Sequence, residues 1–457
     1  MLPVVTPTQM QAVDAAAPEP VEVLIDRAGA AVARHALEML GGAYGRRVVV
    51  VAGRGNNGAD GRSAARVLAR RGARVMVIDA AGAPGTLPEV DLVIDAAYGT
   101  GFRGTYVAPD PGAAPVLAVD IPSGLDGSTG GAGPGSEPAR AVRTVTFAAL
   151  KPGLLLGAGP VHAGRVELAG IGLDAAAAEQ ATAWLVQDRD LARIPGRSRD
   201  AHKWQSALVV AAGSPGMMGA PELVGRAAMR AGAGYVRLGI PGASLEEVRV
   251  GEAVAFAVPA DDWHEAILDA AERCRAIVVG PGLGTGPAAA AALRRIVADA
   301  AVPVVVDADG LNNIGSAAVL RALVARRPTP VVVTPHEGEY ARLFGRHPGR
   351  DRIEDVRDAA LATGAIVLLK GPTTVVAAPD GRVLLATAGS PRLATAGTGD
   401  VLAGVIGACI ARGVAPFEAA GIAAHLHGRA AALGRMEGLI AGDLPDLVAD
   451  VLSTVPR

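Results

Sequence analysis

Short, uninterrupted apolar runs recur along this 457-residue chain, and several of them end on glycine or aspartate. In the first half they are Arg47-Val48-Val49-Val50-Val51-Ala52, Arg74–Ile78, Leu92–Asp95, Val116–Asp120 and Arg143–Phe147. In the second half they are Leu208–Ala211, Tyr235–Leu238, Ala276–Val279, Val304–Asp307, Val331–Val333 and Ile366–Leu369. A strand exposed on one face alternates polar and apolar residues; a strand apolar throughout is covered on both faces, as in parallel sheets flanked by helices. Helical spacing follows the first run, over Ser63 to Arg71. Pro379-Asp380-Gly381 reads as the turn of a hairpin between Thr374–Ala377 and Arg382–Leu385. The tail reads as helix over Val401–Arg412 and Pro416–Arg435. The fold class expected is α/β, as two three-layer α/β/α domains. Val186 to Arg199 turns charged and proline-containing, so the boundary is placed there, giving domains 1–190 and 196–457.

Composition removes several function classes. The formal net charge is -2 with 19% charged residues, which gives no electrostatic pull toward nucleic acid or an anionic membrane. The apolar runs are too short or too interrupted to span a bilayer. Met1–Pro7 lacks a basic region followed by an apolar stretch, so no secretory leader is expected. Cys274 and Cys409 both sit in apolar segments and read as buried free thiols, which fits a cytoplasmic location. Aromatics are only 3%, so the cores must be built from Ala, Val and Leu.

The polar signals cluster at the ends of the strand candidates, where open α/β sheets bind ligands. The sharpest is Ala394-Thr395-Ala396-Gly397-Thr398-Gly399-Asp400, followed by an apolar run. The glycines permit a tight turn, and a helix expected to begin near Gly399 offers free N–H groups to phosphate oxygens. Asp400, in its first turn, is placed to take a proton from a hydroxyl during phosphoryl transfer. In the first half, Gly53-Arg54-Gly55-Asn56-Asn57-Gly58-Ala59-Asp60-Gly61 follows a strand and combines close backbone approach with oriented polar side chains. Asp95–Gly104 and Asp120-Ile121-Pro122-Ser123-Gly124 follow two more strands. Oxygen-only ligands of this kind suit a hard cation. His425 and His427 stand two apart on a helical pattern, so their rings do not share a face, and they read as structural.

These motifs, in this order, resemble a known family over essentially the whole chain. The first half is similar to an NAD(P)H-hydrate epimerase domain, Rossmann-like. The second resembles the ADP-dependent NAD(P)H-hydrate dehydratase, a ribokinase-like domain, on Gly280–Gly284, Thr334–Glu339, Lys370–Thr374 and Gly397–Asp400. The resemblance implies small-molecule ligands, the hydrated nicotinamide cofactors NAD(P)HX and ADP, and a homo-oligomer. It implies a potassium ion (K+) held by Asn57, Asp95 and Ser123. Substrate contacts are implied for Asn56, Asn57, Gly58, Ala59, Asp60, Gly99, Thr100, Gly101, Phe102, Arg103, Gly104, Thr105 and Asp120. Asp95, Asp120, Arg103 and Lys151 are the candidates for epimerase acid and base. In the second half, Asp400 is implied as the base. Ala220, Gly282, His336 and Asp400 line the hydrate site. Lys370, Gly371, Pro372, Thr373 and Thr374, with Gly397, Thr398 and Gly399, bind the phosphoryl donor ADP. Glu337 would help position magnesium (Mg2+) through water.

Two departures stand out. Ala59 occupies a place usually held by glycine and requires a negative φ. Trp204, in His202-Lys203-Trp204-Gln205-Ser206, replaces a small residue and is expected to alter that loop and access to the hydrate site. The competing readings are a ribokinase-like vitamin or sugar kinase fused to a nucleotide-binding interaction domain, and a non-catalytic nucleotide sensor. The first leaves the strand-end motifs of the first half unexplained, and the second has no need of Asp400.

Overall fold

The computed structural model describes residues 1–246, 248 and 251–456. Two compact units divide the chain between Ala183 and Trp184, with Met1 counted in the second. The segment 186–199 is not a free linker: Val186, Leu191 and Ile194 are buried in the core of the second unit. The charged residues that suggested a boundary there alternate with these three apolar anchors.

The first unit carries a six-stranded sheet, parallel throughout. Its strands are β1 (Arg47–Ala52), β2 (Arg74–Asp79), β3 (Leu92–Ala96), β4 (Val116–Val119), β5 (Arg143–Phe147) and β6 (Arg165–Ala169). They lie in the order β2-β1-β3-β4-β5-β6. The chain therefore builds β1 and β2 to one side, then crosses over to start β3 against the other side of β1. That reversal makes the gap beyond the carboxyl ends of β1 and β3 the natural ligand position. β1, β3 and β4 are buried along nearly their whole length, as their unbroken apolar runs require. β6 escaped sequence reading because Arg165-Val166-Glu167-Leu168-Ala169 alternates charge with apolar residues, the pattern of a half-exposed edge.

Three helices matter here: α1 (Pro7–Ala15), α2 (Val21–Leu40) and α3 (Asn56–Arg70). Thr6 and Gln9 close α1 with a reciprocal capping box. α3 begins at Asn56, seven residues before the apolar periodicity makes it visible, so the Asn-Asn-Gly stretch is a helical first turn and not a loop. Asn and Gly are poor helix formers, and here packing overrides propensity. α2 and α3 cross closely at Gly29, where a Cβ would lie 2.4 Å from that of Ser63. Ala59 lies inside α3, so its φ is negative and its methyl is accommodated.

In the second unit the strands that frame the site are β7 (Ala207–Ala211), β8 (Tyr235–Gly239), β9 (Val254–Phe256), β10 (Ala276–Val279), β11 (Val304–Val306), β12 (Val331–Val333), β13 (Ile366–Leu369), β14 (Thr374–Ala377) and β15 (Val383–Ala386). Across the sheet they follow the order β15-β14-β13-β12-β11-β10-β7-β8-β9. β7 to β13 are parallel, and β14 and β15 form the antiparallel hairpin expected around Asp380. The helices that shape the site are α4 (Gly219–Arg230), α5 (Glu337–Phe344), α6 (Thr398–Ala411) and α7 (Pro416–Leu433). α6 is apolar all round and accordingly buried all round. Its glycines make that possible: a Cβ on Gly404 would meet the Val224 carbonyl at 2.4 Å, and one on Gly407 would meet Val278 at 2.3 Å. Cys274 and Cys409 are free and buried.

Candidate active sites

In the first unit a cleft of about 1010 Å³ opens at the β1/β3 reversal. Its walls include Asn56, Asn57 and Asp60 of α3, the segment 99–103, Asp120 and Lys151. Glycines bring the loops together: a Cβ on Gly53 would strike the Ala97 carbonyl at 1.9 Å, and one on Gly58 the Gly53 carbonyl at 1.9 Å. Gly58, Ala59, Gly104 and Thr105 are not among the residues that line the cleft. Thr105 instead donates its hydroxyl to the Pro134 carbonyl, 3.2 Å away.

Asp95 and Ser123 are buried and bonded to each other: the Ser123 amide donates to Asp95 Oδ2 at 2.8 Å. Burial pushes the Asp95 carboxyl up, while hydrogen bonds from Ser123 and Ala97 pull it down. The Ser123 hydroxyl accepts from the Tyr98 amide at 2.8 Å and donates to the Tyr98 carbonyl at 3.1 Å, which ties this pair to the cleft wall. Both amide atoms of Asn57 are buried without a hydrogen-bond partner. Buried amides are normally paired, so this one is shaped for something that binds there.

Asp120 directly follows β4 with φ 67, and its amide donates to the Val145 carbonyl at 2.7 Å. Lys151, 1% exposed, places its Nζ 2.6 Å from Asp120 Oδ1 and also donates to Thr146 Oγ1 (2.9 Å) and the Phe147 carbonyl (3.0 Å). The ammonium thus has three acceptors, and Thr146 Oγ1 donates to the same Asp120 oxygen at 3.0 Å. Burial pushes the Asp60 carboxyl up to about 8, helped by the charges of Asp120 and Asp14 and opposed by Lys151. Asp14, on α1, also lines the cleft and is raised by burial. Asp14 was not among the sequence candidates; nothing local in the helix marks it. Tyr98, Phe102 and Tyr106 pack together, with centroid distances of 4.4 Å and 5.0 Å from Tyr98. In a chain so poor in aromatics, that i, i+4, i+8 spacing was a usable signal.

In the second unit the Gly-Thr-Gly-Asp segment does open a helix. Gly397 is the N-cap of α6, at φ 88, and no side chain caps the helix, so its first N–H groups are free of side-chain partners. A Cβ on Gly397 would meet Leu223 at 2.6 Å, and one on Gly399 would meet Lys370 Nζ at 3.1 Å. Lys370 Nζ lies 2.5 Å from Asp307 Oδ1, which also accepts from Thr334 Oγ1 at 2.7 Å. Burial pushes Asp400 up to about 7; Asp307, Asp309 and Glu339 add to the rise and Lys370 opposes it. Asp307 was read only as the end of a strand, and Asp309 was not singled out. The Asp-Ala-Asp-Gly that follows Val306 was the available signal.

Gly282 stands at φ 67, and a Cβ there would lie 3.1 Å from that of Ala220, so these two residues lie side by side. The amide of Gly284 donates to Asp309 Oδ2 at 2.9 Å. His336 is the N-cap of α5: its Nδ1 accepts from the Gly338 and Glu339 amides at 3.0 and 3.3 Å, while its own amide donates to Glu339 Oε2 at 2.9 Å. The His336 side chain is 56% exposed, with Nε2 3.5 Å from Glu339 Oε1. Glu337 pairs with Arg352, which also reaches the Lys370 carbonyl. His425 bonds Asp188 at 2.8 Å, and burial pushes His427 down to about 4. Trp204 precedes β7 and packs edge-on against Tyr235, with Arg273 over its ring. It therefore sits at the amino end of β7, away from the carboxyl-end loops that carry this site.

The two units define an α/β protein that joins a doubly wound domain to a ribokinase-like domain. The latter fold is shared with a ribokinase-like superfamily protein from Enterococcus faecalis, at TM-score 0.52 and 21% identity over 60% of this chain and 96% of that one. Residues 208–453 match the family described as NAD(P)H-hydrate dehydratase, and residues 21–84 and 79–153 match the YjeF-related protein N-terminus. The chain is 36% identical over 525 residues to the bifunctional NAD(P)H-hydrate repair enzyme of Salinibacter ruber, covering 98% of this chain and 96% of that one. It is 41% identical over 430 residues to the enzyme of the same description from Mycobacterium tuberculosis, covering 85% and 84%. The chain belongs to the bifunctional NAD(P)H-hydrate repair enzyme family. Among the described residues, no helix is long and apolar enough to cross a membrane.

Proposed function

We propose that the protein repairs hydrated nicotinamide cofactors. The first unit interconverts the R and S forms of NAD(P)HX, and the second converts the S form to NAD(P)H at the expense of ADP. The observation that carries the second activity is Asp400, a carboxyl held near neutral pKa in the first turn of an uncapped helix. Asp400 removes the proton from the ring hydroxyl as that oxygen attacks the β-phosphorus of ADP. AMP leaves, the phosphorylated hydroxyl then departs as phosphate, and the neighbouring ring carbon gives up a proton to solvent, so that the C–H electron pair restores the ring double bond. The α6 amides and Lys370 hold the phosphate oxygens. Magnesium, entering with the nucleotide, would offset phosphate charge. Oxygen donors at Asp309 and Glu337 fit a hard cation of that kind.

In the first unit, Asp60 and Asp120 are of opposite character: one is kept protonated by burial, the other sits against a buried ammonium. Asp60 donates a proton to the ring hydroxyl, which leaves as water. Asp120 accepts a proton from the water that adds to the opposite face. Asn57, Asp95 and Ser123 would hold potassium, and the unpartnered Asn57 amide fits that ion. When bound, it supplies positive charge that fixes the Asn57 turn against the β3 and β4 loops. The two buried free thiols support a reducing, cytoplasmic setting.

The test is chromatographic recovery of NADH from a mixed-epimer hydrate. Complete recovery with ADP and none without it is expected. Absence of recovery with ADP would overturn the reading.

A further inference from the structure

The turn after β1 has a glycine spacing to which the roles proposed for Asn57 and Asp60 give no part. Gly53-Arg54-Gly55-Asn56-Asn57-Gly58 has glycines at the first, third and sixth positions, directly after a strand and at the opening of α3. Each glycine has a distinct environment. Gly53 turns tightly under the Ala97 carbonyl, and Gly58 packs the helix onto Gly53. A Cβ on Gly55 would meet nothing within 4 Å, so the helix end is open to the cleft, with no side chain capping it. That division of labour marks a dinucleotide-binding turn: one glycine for the turn, one for pyrophosphate approach, one for helix packing. Sequence spacing alone would be weak evidence. The strand, the helix, the open middle glycine and the cleft supply the structural context it needs.

Such turns are completed by an acidic residue about 20 residues on, at the end of the next strand, which binds the ribose hydroxyls. Asp79 stands at that place. It closes β2, the strand beside β1, and it lines the same cleft together with Ala80 and Ala81. Its side chain is exposed, and Oδ1 accepts from the Ala81 amide at 3.0 Å.

Building on the proposed epimerase reading, we infer that Asp79 receives the hydroxyls of the adenosine ribose and makes the first unit select NADHX over NADPHX. A carboxylate accepts two hydrogen bonds from a 2′,3′-diol. It repels a 2′-phosphate, which carries close to two negative charges and has no proton to donate in its ionised form. Arg54 lines the cleft in the same turn and meets the pyrophosphate. The nicotinamide end then reaches toward Asp60 and Asp120, across the sheet from β2.

Asp79 also caps the short turn Ala80–Gly82, which by itself would explain an aspartate. Asp79→Asn separates the two roles, because asparagine caps equally well and carries no charge. The measurement is kcat/KM for epimerisation of NADHX and of NADPHX by the full chain without ADP, read by separating the epimers. Native protein should prefer NADHX by about 10- to 100-fold, the worth of a charge-assisted hydrogen bond. Asp79→Asn should shrink that preference about tenfold, through KM and not kcat, with the melting temperature unchanged. Equal use of both hydrates by the native protein, or an unchanged preference in Asp79→Asn, would overturn this inference while leaving the epimerase reading in place. Epimerisation of neither hydrate would overturn both. A second readout needs no turnover: ADP-ribose and its 2′-phosphate are titrated calorimetrically against both proteins. The variant should gain affinity for the phosphorylated probe relative to native, and no difference between the two proteins counts against Asp79.

Discussion

Both candidate sites pair a lysine with a strand-end aspartate, yet the two lysines do different jobs. Lys151 is 1% exposed, and its three acceptors use all of its protons, so it can only hold Asp120 in place. Lys370 retains 21% side-chain exposure and lies against Gly399 at the open end of α6, so it can reach an incoming phosphate. In both places the aspartate partner blunts the lysine's charge. That is why neither lysine drags the neighbouring working carboxyl down to its ordinary range: Asp60 stands at about 8 and Asp400 at about 7. Burial sets the baseline, and the ion pair keeps the nearest cation from undoing it.

The strongest way to break this comparison is Asp400→Asn. Asparagine keeps the shape and loses the proton affinity, so ADP-dependent NADH formation should fall by about 10²–10⁴. Nucleotide affinity, followed by calorimetry, should stay within a few-fold. Turnover near native would remove Asp400 from the role of base.

Lys151→Met tests the claim that this lysine is an anchor. Removing one partner of a buried pair costs about 3–5 kcal/mol. Hydrogen exchange over residues 143–163 should accelerate sharply, while ADP-dependent conversion of purified S hydrate by the same protein persists. Unchanged exchange would show that the pair contributes nothing to the first unit.

The ion expected beside Asn57 separates the sites again. Replacing potassium with lithium should slow epimerisation about tenfold, an effect of the size seen when ligand shells are disturbed. Asn57→Leu should abolish the difference between the two salts. Zinc-dependent restoration after chelation would count against an all-oxygen site.

The smallest effect is a pH shift, and its sign differs between the units. Asp400 must be deprotonated to act, so the ADP-dependent rate should rise with pH through about 7. Asp60 must be protonated to act, so epimerisation should fall as pH rises through about 8. Asp307→Asn removes the largest neighbouring charge that raises Asp400, and the inflection should move to lower pH by a fraction of a unit. Inflections that move together, or in the reverse sense, would contradict the assignment of base and acid.

Much of this architecture was visible in the residues themselves, and the exceptions are informative. Strands such as Val48–Ala52 and Val331–Val333 were legible because burial on both faces leaves no polar position to blur them. Val254–Phe256, partly exposed and only three residues long, leaves no such trace. Gly397 to Asp400 was legible because anion binding at a helix end needs only local residues. The Lys151–Asp120 pair, 2.6 Å apart, was not, since nothing along the chain says that the end of β4 and the residue before a distant turn will meet. Asp14 and Asp307 belong to the same category: their significance arises from neighbours that only the fold supplies.

The backbone of Asp120 has an evolutionary corollary. At φ 67 it occupies a conformation that costs most L-residues about 1–2 kcal/mol, although aspartate tolerates it better than others, and the Val145 carbonyl pins it there. Glycine at that position would relax the chain, but it would also leave the buried Lys151 ammonium without its carboxylate, a loss of about 3–5 kcal/mol that outweighs the relief. A laboratory selection for heat resistance should therefore keep aspartate at 120, even where the screen scores only NADH regained from the S hydrate. The carboxylate that serves the R hydrate is thus retained by the demands of folding, in a lineage that never needs to use it.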